Sequence, residues 1–195
     1  PVEEITEGME IKPGEVYVMP PNTFLSVSEG VLRLAPRPED RSRHMPVDSF
    51  LRSLAEYGQQ RAVGVVLSGT DSDGAAGLRE IKAVGGITFA QDPATAKFDG
   101  MPRSAVSTGA VDMVLPPEEI SRELVRLASH PLLRHVKARA PSDVELAISQ
   151  EQWNRVFALL RNASGVDFTH YKQPTLRRRL QRRLVLHKFA DIETY

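Results

Sequence analysis

Cysteine is absent from all 195 residues, which excludes disulfides, thiolate metal sites and a cysteine nucleophile. A reducing compartment fits that composition. Long apolar runs are missing too. The longest uninterrupted one is Val65-Val66-Leu67, or Ala62–Leu67 if Gly64 is admitted, against the roughly 20 residues a membrane helix needs. No membrane insertion is therefore expected. The chain opens Pro1-Val2-Glu3-Glu4, with neither an initiator methionine nor a signal peptide, and so reads as cut from something longer. Aromatic residues make up only 6 %, although a hydrophobic content of 41 % is enough to build a core. Net charge is also lacking, with 25 basic residues against 25 acidic ones.

That zero conceals a division. Residues 1–128 carry 13 basic and 19 acidic side chains, a balance of −6, and residues 129–195 carry 12 and 6, a balance of +6. Two units with different surfaces are expected, joined by a linker over 129–148 that holds two prolines and scattered charge.

In residues 1–128 short strands fall around Val16-Tyr17-Val18, Phe24–Val27 and Val31–Leu34, punctuated by Pro20-Pro21-Asn22 and Glu29-Gly30. Val47, Phe50, Leu51 and Leu54 have helical spacing, and Gly58 marks that helix's end. Ala62–Leu67 has the continuous apolar character of a buried parallel strand. Helix, strand, helix, strand and helix follow through Val84, Ile87–Ala90, residues 101–108, Val111–Leu115 and Pro116–Ser129. Strands alternating with helices predict an α/β doubly wound, mostly parallel sheet. Residues 149–195 are a small all-α unit. Trp153, Val156, Phe157 and Leu160 stripe one helix that closes at Ser164-Gly165, and a second runs from about Pro174 to His187.

Chemistry is best placed in Leu67-Ser68-Gly69-Thr70-Asp71-Ser72-Asp73-Gly74, where a buried strand gives way to a helix, the position at which open α/β sheets bind ligands. The loop has neither the lysine of a P-loop nor a G-x-G-x-x-G spacing. On pattern alone Asp73 reads first as a helix N-cap, a sufficient explanation for a carboxylate there, with a site carboxylate as the alternative. No G-x-S-x-G elbow occurs, and Ser107-Thr108-Gly109 sits at a helix end rather than on a strand-to-helix turn. His44, His130, His135, His170 and His187 lack the paired spacing of metal ligands, so no metal is expected.

The second concentration of signal is basic. Phe168–Ala190 contains no acid, but holds Lys172, Arg177, Arg178, Arg179, Arg182, Arg183 and Lys188. A helical wheel at about 100° per residue gathers Leu176, Leu180, Leu184 and His187 on one face. It turns Arg177, Arg178 and Arg182 outward and Arg183 inward, where an arginine needs a carboxylate partner from Asp167, Asp191, Glu193 or another domain. The outward arginines suit an acidic surface. Nucleic acid is not the expected partner, because only Phe168, Tyr171 and Phe189 are placed to stack and no nucleic-acid motif is present.

Several segments resemble one family in order: Pro13-Gly14-Glu15-Val16-Tyr17-Val18-Met19-Pro20-Pro21, Pro46-Val47-Asp48-Ser49-Phe50, Gly64–Gly74, Gly85-Gly86-Ile87-Thr88-Phe89-Ala90-Gln91-Asp92, Gly100-Met101-Pro102 and Gly109-Ala110-Val111-Asp112. Residues 1–128 are similar to the later part of the catalytic domain of the chemotaxis receptor methylesterase (CheB) family. Residues 149–195 are similar to the N-terminal helical domain of the receptor methyltransferase (CheR) family, through Leu159-Leu160-Arg161, Ser164–Phe168, Tyr171-Lys172 and Thr175–Arg183. The order resembles fused methylesterase–methyltransferase proteins.

The resemblance implies a Ser–His–Asp hydrolase of γ-glutamyl methyl esters on the cytoplasmic helices of methyl-accepting chemoreceptors. Asp73 matches the family's aspartate, and Gly69 and Thr70 match its oxyanion and substrate loop. The family's Ser-Thr-Gly-Gly motif and catalytic histidine fall before Pro1, and Asp71 stands where the family usually has glycine. The S-adenosylmethionine-binding domain of the methyltransferase would follow residue 195, so these residues themselves call for no cofactor. Arg177, Arg178 and Arg182 become receptor-docking residues, Arg183 a structural or interdomain one, and the location cytoplasmic. A catalytically dead receptor-docking scaffold is the alternative.

Overall fold

A computed structural model describes residues 1–37, 45–130, 133 and 148–195. The chain divides into two compact units, Pro1–Arg122 and Glu123–Tyr195. Most of the expected 129–148 linker lies outside the described residues, as do His44 and His135.

Unit 1 begins with β1 (Val2–Glu4), which pairs in parallel with β2 (Val16–Val18). A hairpin follows: β3 (Thr23–Ser28) runs antiparallel to β4 (Val31–Pro36) around Glu29 and Gly30, which both have positive φ, as a two-residue hairpin turn requires. Alternation in β3 buries Leu25 and Val27, which join Ile5 and Leu32 in a small core. Helix α1 (Pro46–Gly58) leads into β5 (Val63–Val66), α2 (Ala75–Ala83), β6 (Ile87–Gln91), α3 (Gly100–Ser107), β7 (Met113–Leu115) and α4 (Pro117–Ser129). The sheet has the order β5-β6-β7 and is parallel throughout, with Val63 opposite Ile87 and Phe89 opposite Met113.

Central β6 is buried at every position, and its mixed composition follows from that. Its polar Thr88 donates its hydroxyl to Ala110 O at 2.6 Å and contacts Asp112 Oδ2 at 2.9 Å, so burial leaves it satisfied. Leu51, Ala55, Val66, Leu78, Ile81, Ala90 and Ala105 form the main core, with α1 and α2 packed closely together. Gly77 permits that approach: a Cβ there would stand 2.5 Å from Leu51 Cβ and 3.2 Å from Asp48 Cα.

Unit 2 takes the last turns of α4 together with α5 (Gln150–Ser164) and α6 (Gln173–Leu186). Helix α5 opens on a capping box in which Ser149 Oγ accepts the Gln152 N–H and Gln152 Oε1 accepts the Ser149 N–H. It closes on Gly165 at φ 72°. Trp153 and Phe157 are its buried pair, stacked at 5.3 Å. Within the unit, Glu123 receives Arg126 Nε at 2.6 Å and Lys188 Nζ at 3.2 Å, and Arg126 Nη1 donates to Val185 O at 3.2 Å. These contacts lie within unit 2, whose first residue is Glu123.

Burial alone would raise the Glu123 carboxyl, but the hydrogen bonds and charges of Arg126 and Lys188 outweigh it and hold it below the usual range. Burial, aided by the Arg126 charge, also pushes His130 below its ordinary value, against an opposing hydrogen bond with the Phe189 backbone.

Two outcomes follow. Gly77→Ala should lower stability by about 1–3 kcal/mol through overpacking, read as a drop in melting temperature. An unchanged melting temperature would mean that α1 and α2 are not in the contact described. In unit 2, both folded-state pKa values lie below their unfolded counterparts, so the unfolded chain binds more protons and stability falls with falling pH. Fluorescence of Trp153, the sole tryptophan, should show the unfolding midpoint declining from about pH 6.5 downward, where unfolded histidine titrates. His130→Gln should flatten the upper part of that decline and leave the Glu123 part, below about pH 4.5, in place.

Candidate functional site

The loop Leu67–Gly74 leaves the C-terminal end of β5 and enters α2, the side on which parallel sheets gather ligands. Its first residues are held by side chains where the sheet's own ladder stops. Gln91, the last residue of β6 and only 6 % exposed, takes the Ser68 N–H on Oε1 at 2.9 Å. Ser68 Oγ accepts the Phe98 N–H at 2.9 Å. Phe98 O accepts the Gly69 N–H, and Gly69 O the Met101 N–H, each at 2.9 Å. Gly100 closes the arrangement, since a Cβ there would lie 2.7 Å from Thr70 O. Residues 68–70 are thus fixed between the end of β6 and the start of α3. Among the described residues no acceptor takes the Thr70 N–H, which leaves it available to an incoming oxygen.

Asp71 is exposed, and its Oδ1 accepts the Ser72 N–H at 2.7 Å. Its φ is not in the left-handed region, so the aspartate introduces no backbone strain there.

Asp73 is buried, at 7 % exposure. The expected helix cap exists, but on a different helix. Gly74, at φ 92°, is the N-cap of α2 and offers no side chain. The Asp73 carboxylate instead reaches the start of α1, accepting the Val47 N–H on Oδ2 at 2.9 Å and the Asp48 N–H on Oδ1 at 2.8 Å. These are first-turn donors with no partner inside the helix, and Met45 at the α1 N-cap supplies no side-chain bond. Asp48 returns the contact: its Oδ1 accepts the Gly77 N–H in the first turn of α2 at 2.6 Å. Each helix is therefore capped by a carboxylate from the other's chain segment.

The basic helix differs from the wheel. Gln181, Leu184 and Val185 are buried, which turns α6 roughly a quarter turn from the phase set by Leu176, Leu180 and Leu184. Arg183 is exposed rather than inward, and its guanidinium lies 5.9 Å from the Tyr195 ring centroid. None of the acids expected to partner it does so. Asp167 Oδ2 pairs with Arg161 at 3.9 Å, Asp191 Oδ1 accepts the Glu193 and Thr194 N–H groups, and Glu193 Oε1 receives Gln152 Nε2 at 3.4 Å. Arg177, Arg178 and Arg182 are half-buried, and Arg179 joins Arg183 as solvent-exposed. The wheel went astray because Gln181 fills an inward position that hydropathy counts as polar, and because arginine stems pack along apolar surface.

Sequence reasoning passed over Gln91 and Asp48. A polar side chain ending the apolar run Ile87–Ala90, and an acid in the first turn after Pro46, were the signals available.

Fold and loop together define an α/β unit of parallel-sheet type with a strand-to-helix turn at the C-terminal end of its sheet, followed by a helical unit. The family model for CheB methylesterase matches residues 1–124, and that for the CheR methyltransferase all-alpha domain matches 151–195. The chain belongs to the CheB methylesterase family, with the methyltransferase's helical domain following it. An uncharacterized 104.1 kDa protein of Rhodobacter capsulatus is 35 % identical over 212 residues, covering 100 % of this chain and 22 % of that protein. A protein-glutamate methylesterase/protein-glutamine glutaminase of Burkholderia pseudomallei is 40 % identical over 134 residues, covering 66 % of this chain and 36 % of that enzyme. The chain thus spans about a fifth of the first relative and just over a third of the second. The crystal structure of the Thermotoga maritima CheB methylesterase catalytic domain superposes with a TM-score of 0.58 at 32 % identity, over 64 % of this chain and 68 % of that one.

Removing both caps from α1 by Asp73→Ala should cost about 1–3 kcal/mol in denaturant unfolding followed by circular dichroism. Asp71→Ala, on the exposed neighbour, should stay within about 0.5 kcal/mol. Equal effects would sink the capping assignment.

Proposed function

We propose that this chain is part of a receptor-modifying protein that hydrolyses γ-glutamyl methyl esters on chemoreceptors, fused to a protein-glutamate methyltransferase. The observation that carries the reading is the buried, doubly anchored Asp73 carboxylate in the same loop as the open Thr70 N–H. In this reading the two α1 N–H groups fix the carboxylate's direction. A carboxylate oxygen has room for more than one donor, so Asp73 can still accept an imidazole N–H, set the tautomer of that histidine and stabilise its protonated form. Thr70 N–H stabilises the negative oxygen of the tetrahedral intermediate. The attacking serine and the histidine come from segments outside these 195 residues.

In unit 2, the basic charge of Arg177, Arg178 and Arg182, with the exposed Arg179 and Arg183, suits an acidic receptor helix, and a cytoplasmic location belongs to the same reading. No helix among the described residues is long and apolar enough to cross a membrane. In this reading S-adenosylmethionine would be held by the methyltransferase's catalytic domain and not by the all-alpha domain matched at residues 151–195.

In the full-length protein, Asp73→Asn should lower turnover about 10⁴-fold, measured as methanol released from methylated receptor. The same change costs only about 1 kcal/mol of stability, because one of the two caps survives. A loss of two- or threefold would leave Asp73 as a helix cap alone and favour the scaffold alternative.

A further inference from the structure

We infer that Gln91 is a positioning residue for the oxyanion loop, acting through Ser68 to hold the Thr70 N–H in its reactive direction. The inference rests on the proposed esterase reading. It begins from the point at which the sheet runs out. The last register pair between β5 and β6 is Val66 with Ala90, so Leu67 and Ser68 leave the sheet without ladder partners. An unconstrained strand end would let the following N–H groups point in many directions, whereas an oxyanion donor has to be pre-aimed to be effective.

Gln91 lies one residue beyond that last pair, and its backbone is held on the other side, in register with Leu115 of β7. Asp92 N–H continues this hold by donating to Leu115 O at 2.9 Å. The side chain is buried, and both ends of its amide are engaged. Oε1 accepts Ser68 N–H at 2.9 Å, and Nε2 donates to Thr95 Oγ1 at 3.2 Å. Thr95 Oγ1 spends its own proton on Asp92 O at 2.9 Å, so it must accept from the amide, and the amide orientation is determined by its partners. From Ser68 the order passes along the chain of bonds through Phe98, Gly69 and Met101 to the position of Thr70. Gln91 touches no reacting atom in this scheme. It replaces the missing rung of the ladder.

Ser68 is exposed, so water can take its N–H when Gln91 is removed. Loss of this contact therefore disorders the loop more than it unfolds the protein, and kinetics separate the two. In the full-length protein Gln91→Leu should lower kcat for methyl ester hydrolysis about 10²-fold, the scale set by misplacing an oxyanion donor, with KM within threefold. Gln91→Glu keeps an acceptor for Ser68 N–H and can receive the Thr95 hydroxyl, so it should recover at least tenfold of that loss. Hydrogen exchange gives a reading independent of activity: the Gly69 and Met101 amides should exchange at least tenfold faster in Gln91→Leu and return toward the parent rate in Gln91→Glu. Unchanged exchange at both amides, or Gln91→Leu with kcat within threefold of the parent, overturns the inference. Asp73→Asn in the same assay tells the two readings apart. If it retains full turnover, the esterase assignment of this loop fails, while the exchange rates still decide whether Gln91 orders it.

Discussion

Two carboxylates exchanged between two helix starts are the constraint on which the rest of unit 1 depends. Asp73, in the loop before α2, satisfies the first turn of α1, and Asp48, in the first turn of α1, satisfies the first turn of α2. Each bond gives a first-turn N–H the acceptor that its own helix cannot supply, and each places negative charge at the positive end of a helix dipole. Neither helix can slide without breaking a cap on the other. The close packing of Leu51 against Gly77 and the burial of Leu78 and Ile81 are therefore locked in register with the site loop. Fold and site share the same two side chains, so the loop's geometry comes from the packing of the domain rather than from the loop's own sequence.

Much of this architecture is legible from sequence, because its signals are local. Ala62–Leu67 is a buried strand by composition, Gly85-Gly86 ends a helix, and Glu29-Gly30 turns a hairpin; each is observed. The strand Val2–Glu4 is not legible, since only its parallel pairing with Val16–Val18 makes it one. Asp73 stands out in sequence for its place before a helix, yet the N–H groups it caps belong to Val47 and Asp48, 26 and 25 residues earlier in the chain. A pairing of that span leaves no trace in local periodicity. Gln91 escapes notice for the same reason. Its role depends on where a neighbouring strand stops.

The basic helix shows the opposite failure, in which a local rule applies and misleads. Leucines at 176, 180 and 184 line up on a wheel, but a helix in a small domain buries whichever side the neighbouring elements cover. In α6 that side holds Gln181, Leu184 and Val185. With four leucines, of which Leu186 falls off that line, against seven long polar or charged side chains, the apolar stripe is too narrow to dictate the phase alone. Arginine stems are amphipathic enough to occupy its margins, as the half-buried Arg177, Arg178 and Arg182 do.

A side chain that must hold an imidazole in one orientation has to be immobile itself, and an aspartate on a loop has two free torsions to lose. At Asp73 both oxygens are tied to the rigid end of a 13-residue helix, which removes that freedom before any partner arrives. Gln91 and Ser68 do the same for the backbone three residues earlier. The two halves of the loop are anchored to different elements, Ser68–Thr70 to the end of β6 and the start of α3, and Asp73 to the start of α1. The distance between the Thr70 N–H and the Asp73 carboxylate is then set by the core between those anchors. This is why a loop of small polar residues, flexible by composition, can hold a fixed geometry.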